Sequence, residues 1–339
     1  MVKWGIIGLG RIANEFASGF SSLKNAKLLG ISSQTPKKLN EFRKKFNIDQ
    51  KYCFSNYDDL ISCDDIDIIY IALPHNLHSQ WIIKCFEKNK KVLTEKPATS
   101  SLEDMKKINE ILDKKDIFFA EGFMYRYHPQ TKKIISLINE NEIGELISME
   151  SNFGFNIVEK RNIFGFKRLK FNKKSRLFDK FLAGGCILDL GCYPSSLSIL
   201  IAKLKDPDNL SVELKNSNVE ISSTNVDIDS YTNLHFSNGF VSSIGCSFKK
   251  DLGKSTKITG SKGSMIIHDS WHCSPMKIEV GNKQIFEDKF EFSNIFSFEI
   301  NAISNSILNK KNEADYPGIS RQETETNIMI LDRWLNEKN

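Results

Sequence analysis

The 339-residue chain has no C-x-x-C pair. Its seven cysteines, Cys53, Cys63, Cys85, Cys186, Cys192, Cys246 and Cys273, are odd in number and lack metal-like or redox-like spacing. That argues against a disulfide framework or a zinc site and reads as free thiols in a reducing compartment. No apolar run approaches the ~20 residues of a membrane helix; Ile68 to Leu73 is a typical maximum. The first residues, Met1-Val2-Lys3-Trp4-Gly5, pass straight into a strand-like pattern without a signal-peptide core. A soluble cytoplasmic protein is the expectation. The formal charge of +5 is small for this length and does not by itself imply a nucleic-acid partner. Repeats and low-complexity tracts are also lacking. What remains is an ordinary globular balance, 40% apolar and 26% charged, over a length that suits two domains.

The two halves have different textures. Up to residue 122, short β-branched runs (Lys3 to Ile7, Lys27 to Ser33, Ile66 to Leu73, Lys91 to Leu93, Ile117 to Ala120) alternate with helical stretches (Arg11 to Ser22, Pro36 to Phe46, Leu77 to Asn89, Leu102 to Lys114). Runs apolar on both faces suit parallel strands covered by helices on both sides, a doubly wound α/β domain. From residue 123 to 339 the expectation is an α+β domain with a large, mostly antiparallel open sheet. Its strand candidates are 146–155, 212–222, 226–236, 239–248, 256–260 and 264–268, with helices at 186–203, 295–309 and Arg321 to Trp334. In the strand at 226–236, Val226, Ile228, Leu234 and Phe236 form the core face. Asp227, Asp229, Asn233 and His235 form the solvent face.

Gly8-Leu9-Gly10-Arg11-Ile12-Ala13 follows the first strand and opens the first helix, with G-x-G-x-x-A spacing. Gly8 permits the tight turn, Gly10 lets backbone approach a pyrophosphate, and Ala13 lets helix and strand pack closely. Readers of NAD carry an acid at the end of the second strand for the ribose 2′-hydroxyl. Here no acid occurs between Phe16 and Asn40, and Ser32-Ser33-Gln34-Thr35-Pro36-Lys37-Lys38 stands instead. Ser33 and Lys37, with the planar cation of Arg11, suit a 2′-phosphate, so NADP(H) is expected over NAD(H). Lys37 and Lys38 also read as ordinary solvated helix charges.

Leu73-Pro74-His75-Asn76-Leu77-His78 ends the third long strand at the edge where such sheets bind ligands. Asn76 is placed to cap the next helix. His75 and His78 could be a metal pair, but no third ligand is in view, so capping or cofactor contact is the ordinary reading and no metal is expected. Thr94-Glu95-Lys96-Pro97 ends the next strand, with Lys96 expected in an extended conformation before proline.

These motifs resemble the Gfo/Idh/MocA oxidoreductases. So do Glu121-Gly122-Phe123-Met124-Tyr125-Arg126-Tyr127-His128-Pro129 and Gly184-Gly185-Cys186-Ile187-Leu188-Asp189-Leu190-Gly191-Cys192-Tyr193-Pro194. The likeness runs in order over essentially the whole chain. It implies a Rossmann domain (1–122) and a domain for substrate binding and oligomerisation (123–339), in a homodimer or homotetramer. The cofactor set it implies is Gly8, Gly10, Arg11, Ile12, Ser33, Lys37, Leu73, Pro74, Asn76, His78, Glu95 and Lys96. The resemblance makes Lys96 and Asp189 catalytic and places Lys96 between the nicotinamide ribose and the substrate hydroxyl. Many members carry a histidine four residues after the aspartate, and this chain has Tyr193. That departure resembles the glucose–fructose oxidoreductase, dimeric dihydrodiol dehydrogenase and NADP-linked xylose dehydrogenase branch, where tyrosine gives or takes the proton. Asp189 and Tyr193, at i and i+4, are expected on one helical face. Hydride transfer from a carbinol needs such a base, and an ammonium nearby lowers a phenol's pKa. The expected substrate is a sugar, polyol or cyclic diol, touched by Lys96, Arg126, Arg176, Asp189 and Tyr193. Glu121 reads as a buried structural acid.

The stretch from Glu159 to Lys180 holds nine Lys/Arg against two acids and reads as a long loop. It is either a mobile solvent-facing segment or a lid over an anionic substrate. Phe155, Phe164, Phe166 and Phe171 interleave with its charges, yet no nucleic-acid motif accompanies them. Arg176 reads equally as a substrate contact and as a surface charge. The alternative to an enzyme is a non-catalytic NAD(P)-binding sensor of the same fold, against which the retention of Lys96, Asp189 and Tyr193 argues.

Overall fold

The computed structural model describes residues 1–161, 167–169, 175–207 and 210–337. The chain divides into two compact units, Met1–His128 with Phe290–Glu325, and Pro129–Lys289 with Thr326–Asn339. The division differs from the expected cut after residue 122, because a segment near the C-terminus returns to the first unit.

In the first unit the strands are β1 (Val2–Ile7), β2 (Ala26–Ser32), β3 (Cys53–Phe54), β4 (Ile68–Ile71), β5 (Lys91–Glu95) and β6 (Phe119–Gly122). The helices among them are α1 (Arg11–Ser18), α2 (Pro36–Phe46), α3 (Tyr57–Ile61), α4 (His78–Glu87) and α5 (Leu102–Leu112). The six strands pair in parallel in the order β3-β2-β1-β4-β5-β6. This is the doubly wound arrangement expected, and its order reverses between β1 and β4, where such sheets open a ligand crevice. β4 is buried along its whole length, as its unbroken apolar run requires. Gly8 closes the β1–α1 turn with φ +87°; a Cβ there would stand 2.4 Å from the carbonyl oxygen of Ala72.

The second unit opens with α6 (Pro129–Asn139) and contains β7 (Leu146–Gly154), β8 (Glu159–Arg161) and β9 (Lys167–Leu169). A π-helical turn, Ile187–Gly191, runs into α7 (Cys192–Lys205). β10 (Val212–Ile221), β11 (Asp227–Phe236), β12 (Val241–Ser247), β13 (Thr256–Gly260), β14 (Gly263–Ile267), β15 (Met276–Val280) and β16 (Lys283–Glu287) follow. Eight strands form one sheet in the order β10-β11-β12-β7-β13-β14-β15-β16, antiparallel except where β12 meets β7. α8 (Ile295–Leu308) then returns to the first unit, and α9 (Arg321–Asn336) contributes its start to the first unit and the rest to the second.

Four local expectations change. β15 and β16 lie outside the expected strands; Met276 to Val280 alternates as a half-buried strand does, but over only five residues. The basic stretch is not all loop, since β8 and β9 pair antiparallel. Three-residue strands carry no readable period. Phe164, Phe166 and Phe171 lie outside the described residues. The helix expected from 186 begins as the π turn, and Ile187–Lys205 is long and apolar enough to cross a membrane. It is a core helix nonetheless: every residue from Cys192 to Ala202 is buried, and α7 packs on β7, β12 and α6. Finally, Asp227 is not solvent-facing but 2% exposed. The β10–β11 register breaks at Ile221, its partner, so simple alternation does not hold there. All seven cysteines are free thiols.

Candidate active site

In the first unit the residues expected at a cofactor lie at the C-terminal ends of β1, β2, β4 and β5. α1 starts at Gly10 with no side-chain cap and no acid in its first turn. Among the described residues, a Cβ on Gly10 would meet no atom within 4 Å, so none of them fills the space before the helix. Helix-start amides that point into open space form a ready anion site. The Arg11 side chain is 91% exposed, with Glu15 3.9 Å away, and Ile12 is half-buried. α2 likewise begins at Thr35 without a side-chain cap or a first-turn acid, and Lys37 is exposed beside it. Ser33 is buried at the end of β2, where its hydroxyl accepts the Thr35 amide at 3.2 Å.

After β4, Leu73 and Pro74 are half-buried and lead into a short 3-10 turn, His75–Leu77. Asn76 does not cap α4, whose N-cap is Leu77; its Oδ1 is buried without a hydrogen-bond partner among the described residues. A buried acceptor left over in this way fits a donor on a bound molecule. His78, expected against the cofactor, is fully buried instead. Its Nδ1 lies 2.9 Å from the Pro97 carbonyl and its Nε2 2.9 Å from the Leu73 carbonyl, so the ring ties the loop after β4 to the loop after β5. His75 is buried with its ring 5.7 Å from that of His78. No group of three metal-ligating side chains occurs among the described residues.

Lys96 is half-buried at a bend directly after β5, and its bond to Pro97 is cis. Glu95 accepts a short hydrogen bond from the Tyr70 hydroxyl. Glu121 is fully buried and accepts the Ala98 amide at 2.9 Å; burial pushes its carboxyl up to about 7 against that hydrogen bond. Arg126, expected at the substrate, is fully buried and paired with Glu323 at 2.8 Å. A buried guanidinium needs a carboxylate, and this one is committed within the core of its own unit.

The second unit carries the remaining residues. Asp189 lies in the π turn and accepts from Arg176 Nη2 at 2.9 Å. Arg176 is 47% exposed, so the pair joins a buried carboxylate to the surface. Tyr193, in the first turn of α7, is 7% exposed. Its ring meets Phe153 edge-on at 5.4 Å and Trp271 at 5.5 Å. A phenol in an aromatic wall can exchange a proton, and the wall gives a flat apolar face beside it.

The Rossmann half, residues 2–123, matches the oxidoreductase family model with an NAD-binding Rossmann fold, and residues 131–266 match the Gfo/Idh/MocA C-terminal domain. The chain belongs to the Gfo/Idh/MocA oxidoreductase family. Among similar proteins, trans-1,2-dihydrobenzene-1,2-diol dehydrogenase of Xenopus tropicalis is 26% identical over 99% of this chain and 97% of its own. D-xylose 1-dehydrogenase (NADP(+)) 2 of Haloferax volcanii is 32% identical over 46% and 44%. The solved aldose-aldose oxidoreductase of Caulobacter crescentus, complexed with glycerol, superposes with TM-score 0.82 at 19% identity, covering 98% and 96%. At that identity the last likeness shows the Gfo/Idh/MocA fold alone. Sequence reasoning missed Phe153, Trp271 and Asp227. For Asp227 a signal existed: adjacent glycines at 184–185 announce a close approach, though not the group approached.

Proposed function

We propose that the protein is an NADP-dependent oxidoreductase that moves a hydride between nicotinamide and a carbinol or carbonyl carbon of a sugar, polyol or cyclic diol. The observation that carries this reading is the edge of the first unit, where α1 and α2 both start without caps or acids and Lys37 stands beside β2. Phosphates of a dinucleotide suit the amides beyond Gly10, and a 2′-phosphate suits Ser33, Lys37 and Arg11. The nicotinamide, when bound, supplies the hydride chemistry. Tyr193 gives or takes the hydroxyl proton, Lys96 orients the ribose and lowers the phenol's pKa, and Asp189 supports the substrate side with Arg176. The named substrates of the relatives, a dihydrodiol and xylose, support a cyclic polyhydroxy compound. Homodimer or homotetramer assembly goes with this reading.

The test is NADPH absorbance across a panel of aldoses, ketoses and cyclic diols, repeated with two variants. Tyr193→Phe should keep NADP(H) affinity while turnover falls roughly 10²–10⁴-fold, the usual worth of general acid–base catalysis. Lys96→Met should lose turnover and cofactor affinity together. Near-normal turnover in Tyr193→Phe would move the proton role elsewhere.

A further inference from the structure

One buried carboxylate outside the family motifs holds the start of the segment that carries Asp189 and Tyr193. Asp227 opens β11, and its Oδ2 accepts the amide of Ile187, the first residue of the π turn, at 2.6 Å. Gly185 takes φ +118°, and a Cβ there would stand 2.0 Å from Asp227 Oδ1, so the backbone passes directly over the carboxylate. The Cys186 thiol, between these two residues, donates to the Cys246 carbonyl at 3.5 Å. No Lys or Arg among the described residues pairs with it. Burial pushes the carboxyl up, and the amides of Ile187 and Cys186 hold it down. A charge this buried is costly unless it is well hydrogen-bonded, and here its partners are the helix-start amides.

The geometry it fixes is unusual. π turns are rare insertions in helices and often lie at functional sites. Relaxing the turn to α geometry slips the chain by one residue, which rotates whatever precedes the slip by roughly 100°. Asp189 lies within that turn and Tyr193 after it. We propose that Asp227 is a positioning residue: its carboxylate pins Gly185 to Ile187, keeps the turn in its π form, and so sets Asp189 relative to Tyr193. This rests on the assignment of those two residues to the chemistry.

The test compares Asp227→Ala, Asp227→Asn and Tyr193→Phe in the full chain. Turnover is measured with NADPH and whichever panel substrate the wild type reduces, and amide exchange is measured across residues 186–193. In Asp227→Ala, turnover should fall roughly 10²-fold, the scale of an ångström-sized misplacement. NADPH affinity should hold, the pH profile of turnover should shift, and exchange should rise at Ile187–Gly191. Asp227→Asn, which keeps the shape and one acceptor, should fall between and carries the test if the alanine variant does not fold. Lowered melting temperature with wild-type turnover, pH profile and exchange would reduce Asp227 to an ordinary cap and overturn the proposal, even with Tyr193→Phe impaired. Normal turnover in Tyr193→Phe would overturn the assignment beneath it, and this proposal with it.

Discussion

Two glycine turns, one in each unit, lead into helices and treat the helix start in opposite ways. After β1, Gly8 turns at φ +87° and α1 begins with nothing over Gly10. After Gly184, Gly185 turns at φ +118° and the amide beyond it is taken by Asp227. The contrast recurs inside the first unit. α1, α2 and α4, which follow β1, β2 and β4, have no side-chain cap and no first-turn acid. α3, α5 and α8 are capped by Asn56, Ser101 and Asn294, and α3 and α5 carry acids in the first turn. α9 starts with a reciprocal box, in which Glu323 accepts the Ser320 amide at 2.9 Å and the Ser320 hydroxyl accepts the Glu323 amide at 3.2 Å. Helix starts that the chain satisfies itself hold structure. The starts of α1 and α2, without a cap among the described residues, lie at the ends of β1 and β2, where an anion can satisfy them.

The closed starts should break first in stability. Glu323 both caps α9 and pairs with the buried Arg126. Glu323→Ala leaves that guanidinium without its carboxylate, which typically costs about 3–5 kcal/mol, with about 1 kcal/mol of it from the cap. Urea denaturation should show the loss directly, and Glu323→Gln should recover part of it by keeping the cap. A loss below about 1 kcal/mol in the alanine variant would show that this start does not need its carboxylate.

The open start should break in the opposite sense. Gly10→Asp places a carboxylate where no atom of the described residues stands within 4 Å of the new Cβ, imitating at α1 what Asp227 does at the π turn. Asp is a good N-cap, so the melting temperature should hold or rise slightly. NADP(H) affinity should fall roughly 100-fold, about 2.7 kcal/mol, as the carboxylate competes for the amides. Binding and stability moving apart is the signature, read by calorimetry and thermal unfolding on one sample. If both fell together, the start of α1 would be structural.

The open starts were legible in the sequence, because their signal is local: G-x-G-x-x-A after an apolar strand, and no acid from Ala17 to Leu39. The partners of Arg126, His78 and Asp227 were less so, because they are remote in sequence or lie in backbone that no motif marks. Arg126 sits inside a motif and looks like a site residue, yet the carboxylate that claims it is Glu323. His78 sits at the ligand edge and is spent on the carbonyls of Leu73 and Pro97. Asp227 alternates with apolar neighbours like a solvent-facing residue, yet the register breaks opposite it and the glycine turn passes directly over it. Period and motif report an element's own faces; they do not report which distant backbone closes over them.

The smallest expected effect lies at the end of β2. Ser33 is buried, and its hydroxyl accepts the Thr35 amide just before the uncapped start of α2. Lys37 stands exposed in the first turn of that helix, in no ion pair among the described residues. Ser33→Asp keeps an acceptor for Thr35, so the turn should survive, but it sets a carboxylate where a 2′-phosphate would otherwise lie and a free ribose 2′-hydroxyl could donate. NADP(H) should bind more weakly and NAD(H) more tightly. A combined change near tenfold in their affinity ratio corresponds to about 1.4 kcal/mol. Because like-charge repulsion beside exposed groups is screened, the NADP(H) penalty should shrink at high salt while the NAD(H) gain, a hydrogen bond, should persist. Lys37→Gln should weaken NADP(H) alone, and by less. Titrating both cofactors at low and high salt separates the two contributions. A wild-type enzyme that binds NAD(H) as well as NADP(H), or a Ser33→Asp variant with an unchanged ratio, would mean that this edge does not read the 2′ position.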